Sequence, residues 1–460
     1  MKQNPISSVA LAVLLIVSRA AFGQSQPPVA VLATTYDPNL KTYGLESDPV
    51  NSATGAISSG DAFSGQFYSL AASPNGQFVY VTDPYDGPTG TIYGGSVDSV
   101  NGALTPIPGA TYSIPGGVNS VGGIGFEATG RFLYASWSAG PNSYALLGAQ
   151  IDPNTGLLTP LSGFPISVVG AVGRIVSDSA GKYLYASGNS INGACCAVFA
   201  WAINSATGAL TPTGQIGVGD MYALAADPQG RYLYAATANG LWGFYNDGKL
   251  SQVPGSPFYS GSPLTPGYYG VPVYGVTFDG TGSFLYATTG GYVWGFAVPT
   301  NGTLTPVPGS PFLCGCEQIL GDSSGKYLYA SATGALEAFQ IDGATGSLTF
   351  VNGTWPPPGN LTLIPASGSP SAALQSLEIV DAGGKLAAGS KRQFLLRGAY
   401  SDGTHRFLTA SATWTSSNPS VVTVADESAR HGVATAATPG PVTITATFGG
   451  LTATIDLSVE

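Results

Sequence analysis

A seven-residue motif that recurs six times constrains this chain more than any other feature. Each copy starts with Gly, has an aromatic residue third and Tyr fifth, and ends on a small residue. The copies are GQFVYVT, GRFLYAS, GKYLYAS, GRYLYAA, GSFLYAT and a second GKYLYAS, at 76–82, 130–136, 181–187, 230–236, 282–288 and 325–331. Alternation of large and small residues after a Gly turn is typical of a β-strand. The chain therefore contains a repeated unit of roughly fifty residues.

A second series of Gly turns lies between these copies, each ahead of another strand. Its seven members are ATGAI (53–57), VNGAL (100–104), NTGLL (154–158), ATGAL (206–210), NDGKL (246–250), TNGTL (300–304) and ATGSL (344–348). One unit then contains four strands; for the sixth unit these are predicted at 273–279, 283–288, 292–297 and 303–307. Four-stranded units at this period predict an all-β fold with a β-propeller, and seven turns predict seven blades.

The two ends of the repeat region differ in a way that bears on closure. Val29–Thr34 already matches the motif strand, so the first blade lacks the inner strand that precedes this strand in the other blades. The segment LTLIP (361–365) follows the last turn and could supply the missing strand. A solenoid is the alternative, but a deficit at one end and a surplus at the other favour a closed ring over residues 29–365.

The N-terminal residues 1–23 read as an export signal. Lys2 gives a positive start, Val9–Val17 is apolar, and small residues precede position 23. Nine apolar residues are too few to span a bilayer. We therefore expect a secreted, periplasmic or cell-surface protein without a membrane span.

Composition narrows the function classes. Without residues 1–23, 13 basic and 25 acidic residues remain, a net charge of −12, and no basic run offsets it. Such a chain repels nucleic acid. Carbohydrate or another surface protein remains a candidate partner, and the oligomeric state stays open.

A second domain is predicted after the propeller. Residues 366–374 are rich in Pro, Gly, Ser and Ala, as in a linker. Residues 375–460 lack the repeat and contain roughly seven short alternating segments, which favours an Ig-like β-sandwich with Trp414 as its core aromatic residue.

The motifs of both regions resemble known families. Residues 29–365 resemble lactonase-type seven-bladed propellers, the 6-phosphogluconolactonase-like and YVTN-repeat proteins, through turns such as PNG-QFVYV and SSG-KYLYA. Residues 375–460 resemble a bacterial group 2 Ig-like domain through TWTSSNPSVVTV and GPVTITATFGG. These resemblances imply an exported bacterial protein with a spacer or binding module.

The resemblance also implies an Arg and His pattern in the innermost strands of a lactonase, seven to nine residues before the turn Gly. Here the position seven before each Gly is occupied by Ser69, Gly123, Arg174, Ala223, Gly275 and Gln318. Both histidines, His405 and His431, lie in the C-terminal domain. The propeller therefore lacks a group that titrates near neutrality, which argues against an acid–base mechanism of the family type.

The candidate catalytic residues that remain are Arg174, Glu317 and Asp220, near the starts of inner strands. The alternative interpretation is that they are channel ions satisfied by each other or by water. Aromatic and amide side chains are the ligand-binding candidates, either for stacking on sugar rings or as packing between blades: Tyr68, Tyr222, Tyr274, Gln318, Tyr268 and Tyr269.

Four cysteines complete the set of candidates. Cys195 and Cys196 fall in a loop of the fourth blade, whereas Cys314 and Cys316 precede the inner strand of the seventh. Blades three apart are too distant for a bridge, so we expect local disulfides, 195–196 and 314–316. The same distance argues against a shared metal site, and no cofactor is expected.

The sequence thus predicts an exported binding or adhesion-type protein built on a lactonase-like propeller. The alternative is a hydrolase of a lactone or sugar acid that uses the central funnel. A purely structural scaffold is a third possibility.

Overall fold

The computed structural model describes most of the chain from residue 28 to the C-terminus. The described residues are 28, 30–37, 42–51, 53–58, 61–64, 67, 69–83, 90–113, 120–140, 143–168, 172–188, 196–258, 272–332, 335–354, 361–364, 372–381, 385–427 and 430–460. The predicted export signal, 1–23, lies outside them. Regular structure within these residues consists of strands and contains no helix. No helix there could cross a membrane.

Seven sheets form the propeller region. Blade 1 contains β1 (Ala30–Asp37), β2 (Thr42–Pro49) and β3 (Asp61–Ser64). Blade 2 contains β4 (Ser69–Ala72), β5 (Phe78–Asp83), β6 (Thr91–Val97) and β7 (Leu104–Ser113). Blade 3 contains β8 (Ser120–Phe126), β9 (Phe132–Gly140), β10 (Ser143–Ile151), β11 (Leu158–Pro160) and β12 (Ile166–Val168). Blade 4 contains β13 (Val172–Ser177), β14 (Tyr183–Gly188), β15 (Ala197–Ile203) and β16 (Leu210–Gly217).

The remaining blades follow the same order. Blade 5 contains β17 (Met221–Ala226), β18 (Tyr232–Thr237) and β19 (Gly240–Tyr245). Blade 6 contains β20 (Gly275–Phe278), β21 (Phe284–Thr288), β22 (Tyr292–Ala297), β23 (Thr305–Pro306) and β24 (Phe312–Leu313). Blade 7 contains β25 (Cys316–Gly321), β26 (Tyr327–Ala332), β27 (Ala335–Ile341) and β28 (Leu348–Thr354), and β29 (Leu361–Ile364) follows.

The fold is a seven-bladed propeller, as the repeats predict. The prediction of four strands in every blade, however, does not hold for all seven blades. Blades 3 and 6 divide their outer strand into two pieces, and blade 5 has three strands in the described residues. There, isolated bridges from Leu241 to Phe258 and from Phe244 to Gln252 take the place of a fourth strand.

The ring closes through β29. This strand pairs antiparallel with β1, from Ala30 opposite Ile364 to Ala33 opposite Leu361, so the last propeller strand becomes the inner strand of blade 1. The inner strands contact one another around the ring in the order β29, β4, β8, β13, β17, β20, β25 and back to β29. Each blade remains a separate open sheet, and the blades meet through side chains.

The Tyr in the fifth position of the motif links each blade to the next. All six of these residues are fully buried, and their hydroxyl groups reach the Gly turn of the neighbouring blade. The bonds are Tyr80 to Gly156 O (2.6 Å), Tyr134 to Gly208 O (2.7 Å), Tyr185 to Asn246 Oδ1 (2.6 Å), Tyr234 to Gly302 O (2.6 Å), Tyr286 to Gly346 O (2.8 Å) and Tyr329 to Gly55 O (3.3 Å). We call these bonds the interblade latches.

The latches explain why both motifs repeat together. Tyr329 belongs to blade 7 and Gly55 to blade 1, so the last latch also closes the ring. Blade 1 has no Tyr at this position, and the hydroxyl of Ser47 donates to Gly102 O (2.8 Å) instead. The turn Gly residues have φ near +70°, a conformation that Gly adopts without steric cost. Each motif therefore has its hydrogen-bond partner in the adjacent blade.

Removing one latch hydroxyl tests this account. Tyr286→Phe should lower the free energy of unfolding by about 1 kcal/mol, because it removes one hydrogen bond and leaves the buried Gly346 carbonyl without a donor. Chemical denaturation of the variant measures the change. Tyr292→Phe, at a position 46% exposed, is the control and should be neutral. Equal effects of the two substitutions would contradict the latch.

The C-terminal region is a β-sandwich around its own core. Its strands are β30 (Leu374–Val380), β31 (Lys391–Gln393), β32 (Leu395–Tyr400), β33 (His405–Phe407), β34 (Thr413–Ser416), β35 (Val422–Val424), β36 (Val433–Ala436), β37 (Gly440–Phe448) and β38 (Leu451–Val459). The described residues thus contain nine strands in three small sheets, more than the seven predicted. Trp414 is buried in the core, as predicted, and its indole N–H donates to Thr409 O (2.9 Å).

The sandwich packs against blades 2 and 3. Phe407 lies against Phe78 with ring centroids 5.7 Å apart, and both residues belong to a core cluster that includes Leu395 and residues of both blades. Gln77 donates to the carbonyl of His405, and Arg397 donates to Asn154 O (3.3 Å). These propeller residues lie at the turns after inner strands or after third strands. We call this side the turn face.

One buried carboxylate joins the two parts. Asp98 is 2% exposed and opens the second-series turn of blade 2. Its Oδ2 accepts from the backbone N–H groups of Ala410 (3.1 Å) and Ser411 (3.0 Å), and its Oδ1 accepts from the Ser411 hydroxyl (2.7 Å). The sequence pattern predicts a turn at Asp98 but gives no sign of this interdomain contact.

Candidate functional site: the mouth of the propeller

The inner strands begin at the end of the propeller opposite the turn face, and we call this end the mouth. Four inner strands are irregular close to their starts. The register shifts between Val121 and Ile124 in β8, between Val172 and Ile175 in β13, between Met221 and Ala223 in β17, and between Cys316 and Gln318 in β25. Such bulges change the direction of a side chain and occur often beside functional sites. They place Arg174, Tyr222 and Glu317 at irregular positions of the mouth.

The last residue of the repeat motif holds this irregular backbone. Ser187 Oγ accepts from the N–H of Arg174 (2.6 Å), and Thr82 Oγ1 accepts from the N–H of Ser69 (3.0 Å). Thr288 Oγ1 donates to the carbonyl of Glu317 in the next blade (2.6 Å). In these three blades the hydroxyl residue that ends the motif bonds backbone groups near the starts of inner strands.

Glycines at the mouth follow from close approach of the inner strands. A Cβ atom on Gly123 would lie 1.7 Å from Gly173 O, and one on Gly275 would lie 2.7 Å from Glu317 O. Most blades thus require a small residue at this level. Arg174 and Gln318 are large exceptions, which makes them candidates for a role beyond packing.

Arg174 stands out among the cations of the propeller. The described part of the propeller contains six basic residues, and five of them lie at the turns of the opposite face: Arg131, Lys182, Arg231, Lys249 and Lys326. Arg174 alone lies on an inner strand near the mouth, and it is 8% exposed. A buried guanidinium in an acidic molecule favours an anionic partner in the same place.

Two further polar groups lie at the same level of the ring. Gln318 is 6% exposed, and its Oε1 has no hydrogen-bond partner among the described residues. Ser69 is fully buried, and its Oγ likewise lacks a partner within that part of the chain. Buried polar atoms without partners are rare and usually mark an unseen water or ligand. Ser69 is not among the predicted site residues, although its place in the same column as Arg174 is the signal that identifies it.

The aromatic candidates separate into two groups. Tyr222 and Tyr274 are half-buried, and their rings meet with centroids 5.2 Å apart at an angle of 51°. Tyr68, Tyr268 and Tyr269 lie outside the described residues. Blades 5 and 6 therefore place one pair of aromatic rings side by side at the mouth.

The acidic candidates are exposed. Glu317 extends from the bulge of β25, and Asp220 lies just before β17. Cys196 Sγ lies 3.7 Å from Asp220 Oδ1. The two groups add negative charge to the rim of the mouth.

The cysteines close to the mouth show one bridge. Cys314 and Cys316 form a disulfide just before and at the start of β25. The pairing of Cys195 with Cys196 stays a prediction, because Cys195 lies outside the described residues. No cluster of three or more metal-ligating side chains occurs within the described residues.

Several solved proteins have a similar propeller fold. A proposed 6-phosphogluconolactonase of Bacteroides fragilis superposes with a TM-score of 0.55 at 19% identity, over 75% of this chain and 99% of that protein. A periplasmic gluconolactonase of Pseudomonas aeruginosa gives 0.55 at 16% identity, over 73% and 99%. A proposed 6-phosphogluconolactonase of Bacteroides uniformis gives 0.54 at 18% identity, over 74% and 100%. The propeller has the lactonase-type fold. Identities this low establish the fold alone.

Sequence comparison adds a local similarity. No family model matches the chain. Ice-binding protein 1 of Shewanella frigidimarina is 39% identical over 88 residues, which is 19% of this chain and 9% of that protein. The chain thus spans less than a tenth of the length of this curated relative.

Proposed function

We propose that this protein is an exported binding protein whose propeller mouth holds a carbohydrate with an acidic group. The observation that carries the proposal is the position of Arg174, the described propeller cation that lies on an inner strand and not at the turn face. A guanidinium can bind a carboxylate with two parallel hydrogen bonds.

The other mouth residues fit the rest of such a ligand. The Tyr222–Tyr274 pair offers aromatic faces for a sugar ring, and Gln318 Oε1 offers an acceptor for a hydroxyl group. Aromatic surface with a few convergent polar groups is the usual composition of a small-molecule site. The exposed carboxylates of Glu317 and Asp220 would repel an anion at the rim, so the acidic group of the ligand is expected deep in the mouth, at Arg174.

Binding can be tested by calorimetry with glucuronate, gluconate and neutral glucose. We expect the acids to bind and glucose to bind more weakly, and Arg174→Ala to weaken the acids by roughly 10-fold or more, because a charge-assisted bond is worth about 1.5–3 kcal/mol. Arg131→Ala is the matched control, since it removes an exposed Arg of the turn face. Equal affinity of wild type and Arg174→Ala for the acids would refute the proposed site.

Lactone hydrolysis is the second candidate, favoured by Arg174 and Glu317 on inner strands of a lactonase-type fold. Arg174 would stabilise the developing oxyanion, and Glu317 would activate water. The exposure of Glu317 is the reason that binding ranks first. Turnover of gluconolactone that disappears in both Arg174→Ala and Glu317→Gln, with unchanged melting temperatures, would establish hydrolysis instead.

A further inference from the structure

A mostly apolar cavity of about 360 Å³ lies along blade 2 on the side of blade 1. Its lining includes Leu45 of blade 1, Phe67 from the connection, and Val79, Val81 and Leu104 of blade 2. These residues belong to the core cluster that blades 1 and 2 share, so the cavity lies between these two blades.

Strand β1, whose Ala30 and Leu32 belong to the same core cluster as this lining, lacks the aromatic residues of the motif. Ala30 pairs with Pro49, two residues before the turn that begins at Asn51; Phe78 pairs with Ser96, two residues before the turn that begins at Asp98. Ala30 therefore occupies the position of the motif aromatic residue, and Leu32 occupies the position of the latch Tyr.

In each of the other six blades, an aromatic ring occupies both of these positions. Phe78 packs against Gly156 of blade 3, and Phe284 packs against Gly346 of blade 7, in each case with the latch Tyr two residues along the strand. Blade 1 has no aromatic ring at either position.

We propose that this cavity binds a small, uncharged, mostly apolar molecule, and we call it the blade 1–2 cavity. Its volume falls within the usual range of ligand sites, about 300–1,000 Å³. Its lining is mostly apolar and therefore offers water few hydrogen-bond partners. The carboxylate of Asp83 also lines it, which disfavours an anionic ligand such as a fatty acid.

A pair of fluorescent probes tests the size and charge of the ligand in the full-length protein. N-phenyl-1-naphthylamine is neutral, and its 8-sulfonate has the same rings with a negative charge. We expect saturable binding of the neutral probe and at least ~10-fold weaker binding of the sulfonate, because the sulfonate would lie beside the negative charge of Asp83 on an apolar surface. Asp83→Asn should reduce the difference between the two probes.

Variants that fill the cavity locate the site. Val81→Phe and Leu104→Phe each add a ring to the lining and should abolish binding of the neutral probe; two variants are used because one of them can overpack the core. Leu313→Ser removes an apolar side chain that is 81% exposed elsewhere and should leave binding unchanged. Arg174→Ala should also leave it unchanged, which separates this site from the mouth. Absence of saturable binding to wild type, or undiminished binding in both folded ring variants, would overturn the proposal.

Discussion

A chain that ends after residue 360 is expected to lose the cooperative unfolding transition of the propeller. This truncation removes β29, so β1 loses one of its two antiparallel partners and the inner strands of blades 2 and 7 lose the strand between them. At about 1 kcal/mol for each hydrogen bond, the lost pairing is a large share of the 5–15 kcal/mol that stabilises a typical domain. Calorimetry and urea titration of the truncated protein measure the effect.

The matched control ends after residue 371 and keeps β29. It should retain one cooperative transition at a lower temperature than the full chain, because it loses the contact of Phe407 with Phe78 and the bonds to Asp98. The sequence alone predicts that the propeller tolerates loss of residues 375–460, and the packed interface limits that tolerance. If both truncations melt like the full-length protein, strand β29 does not close the ring.

The second large effect is expected at Asp98. Asp98→Ala should lower the free energy of unfolding by about 3 kcal/mol or more, because two N–H groups and a hydroxyl group in the interface lose their acceptor. Asp98→Asn keeps one carbonyl oxygen and should cost less. Limited proteolysis between residues 365 and 371, together with thermal melting, reports whether the sandwich leaves the propeller. Wild-type behaviour of Asp98→Ala would contradict a role of this contact in docking.

The pH dependence of the same contact has a defined sign. Burial raises the pKa of Asp98 above 3.8, and the hydrogen bonds from Ser411 and Val100 lower it by less. A carboxyl whose pKa is raised in the folded state binds more protons there, so its contribution to stability is largest below pH 3.8 and declines as the pH rises towards the raised value. Between pH 3.8 and the raised pKa, the free energy of unfolding of wild type should therefore fall relative to that of Asp98→Asn as the pH increases.

The sequence predicts the propeller well because its evidence is local and repeated. A Gly with positive φ, followed by alternating residues, encodes the same hairpin at 76, 130 and 181 regardless of the rest of the chain. Ring closure is also predictable, since counting strands exposes the missing partner of β1. In the described residues of blade 5, isolated bridges to Gln252 and Phe258 stand where a fourth strand is predicted, and the turn pattern does not indicate this difference.

The mouth and the interface are less accessible to such reasoning. The bulges depend on how the inner strands converge in three dimensions. Comparison of the positions seven residues before each motif Gly shows that Arg174 is unusual, but it does not show that Ser187 bonds the backbone there. The interface depends on residues more than 300 positions apart, such as Asp98 and Ser411. No periodicity within one segment contains that information.

The pairing of β1 with β29 also sets an order of events when the chain is made. A ribosome completes Ala30 long before Ile364, its partner in the sheet, so the first blade exists for most of synthesis with an unpaired edge. Contacts over such sequence separations form slowly, and exposed edges in the meantime favour association between chains. The slowest step of folding should therefore be insertion of β29, and chains stalled before residue 361 should be the species that aggregates or requires a chaperone.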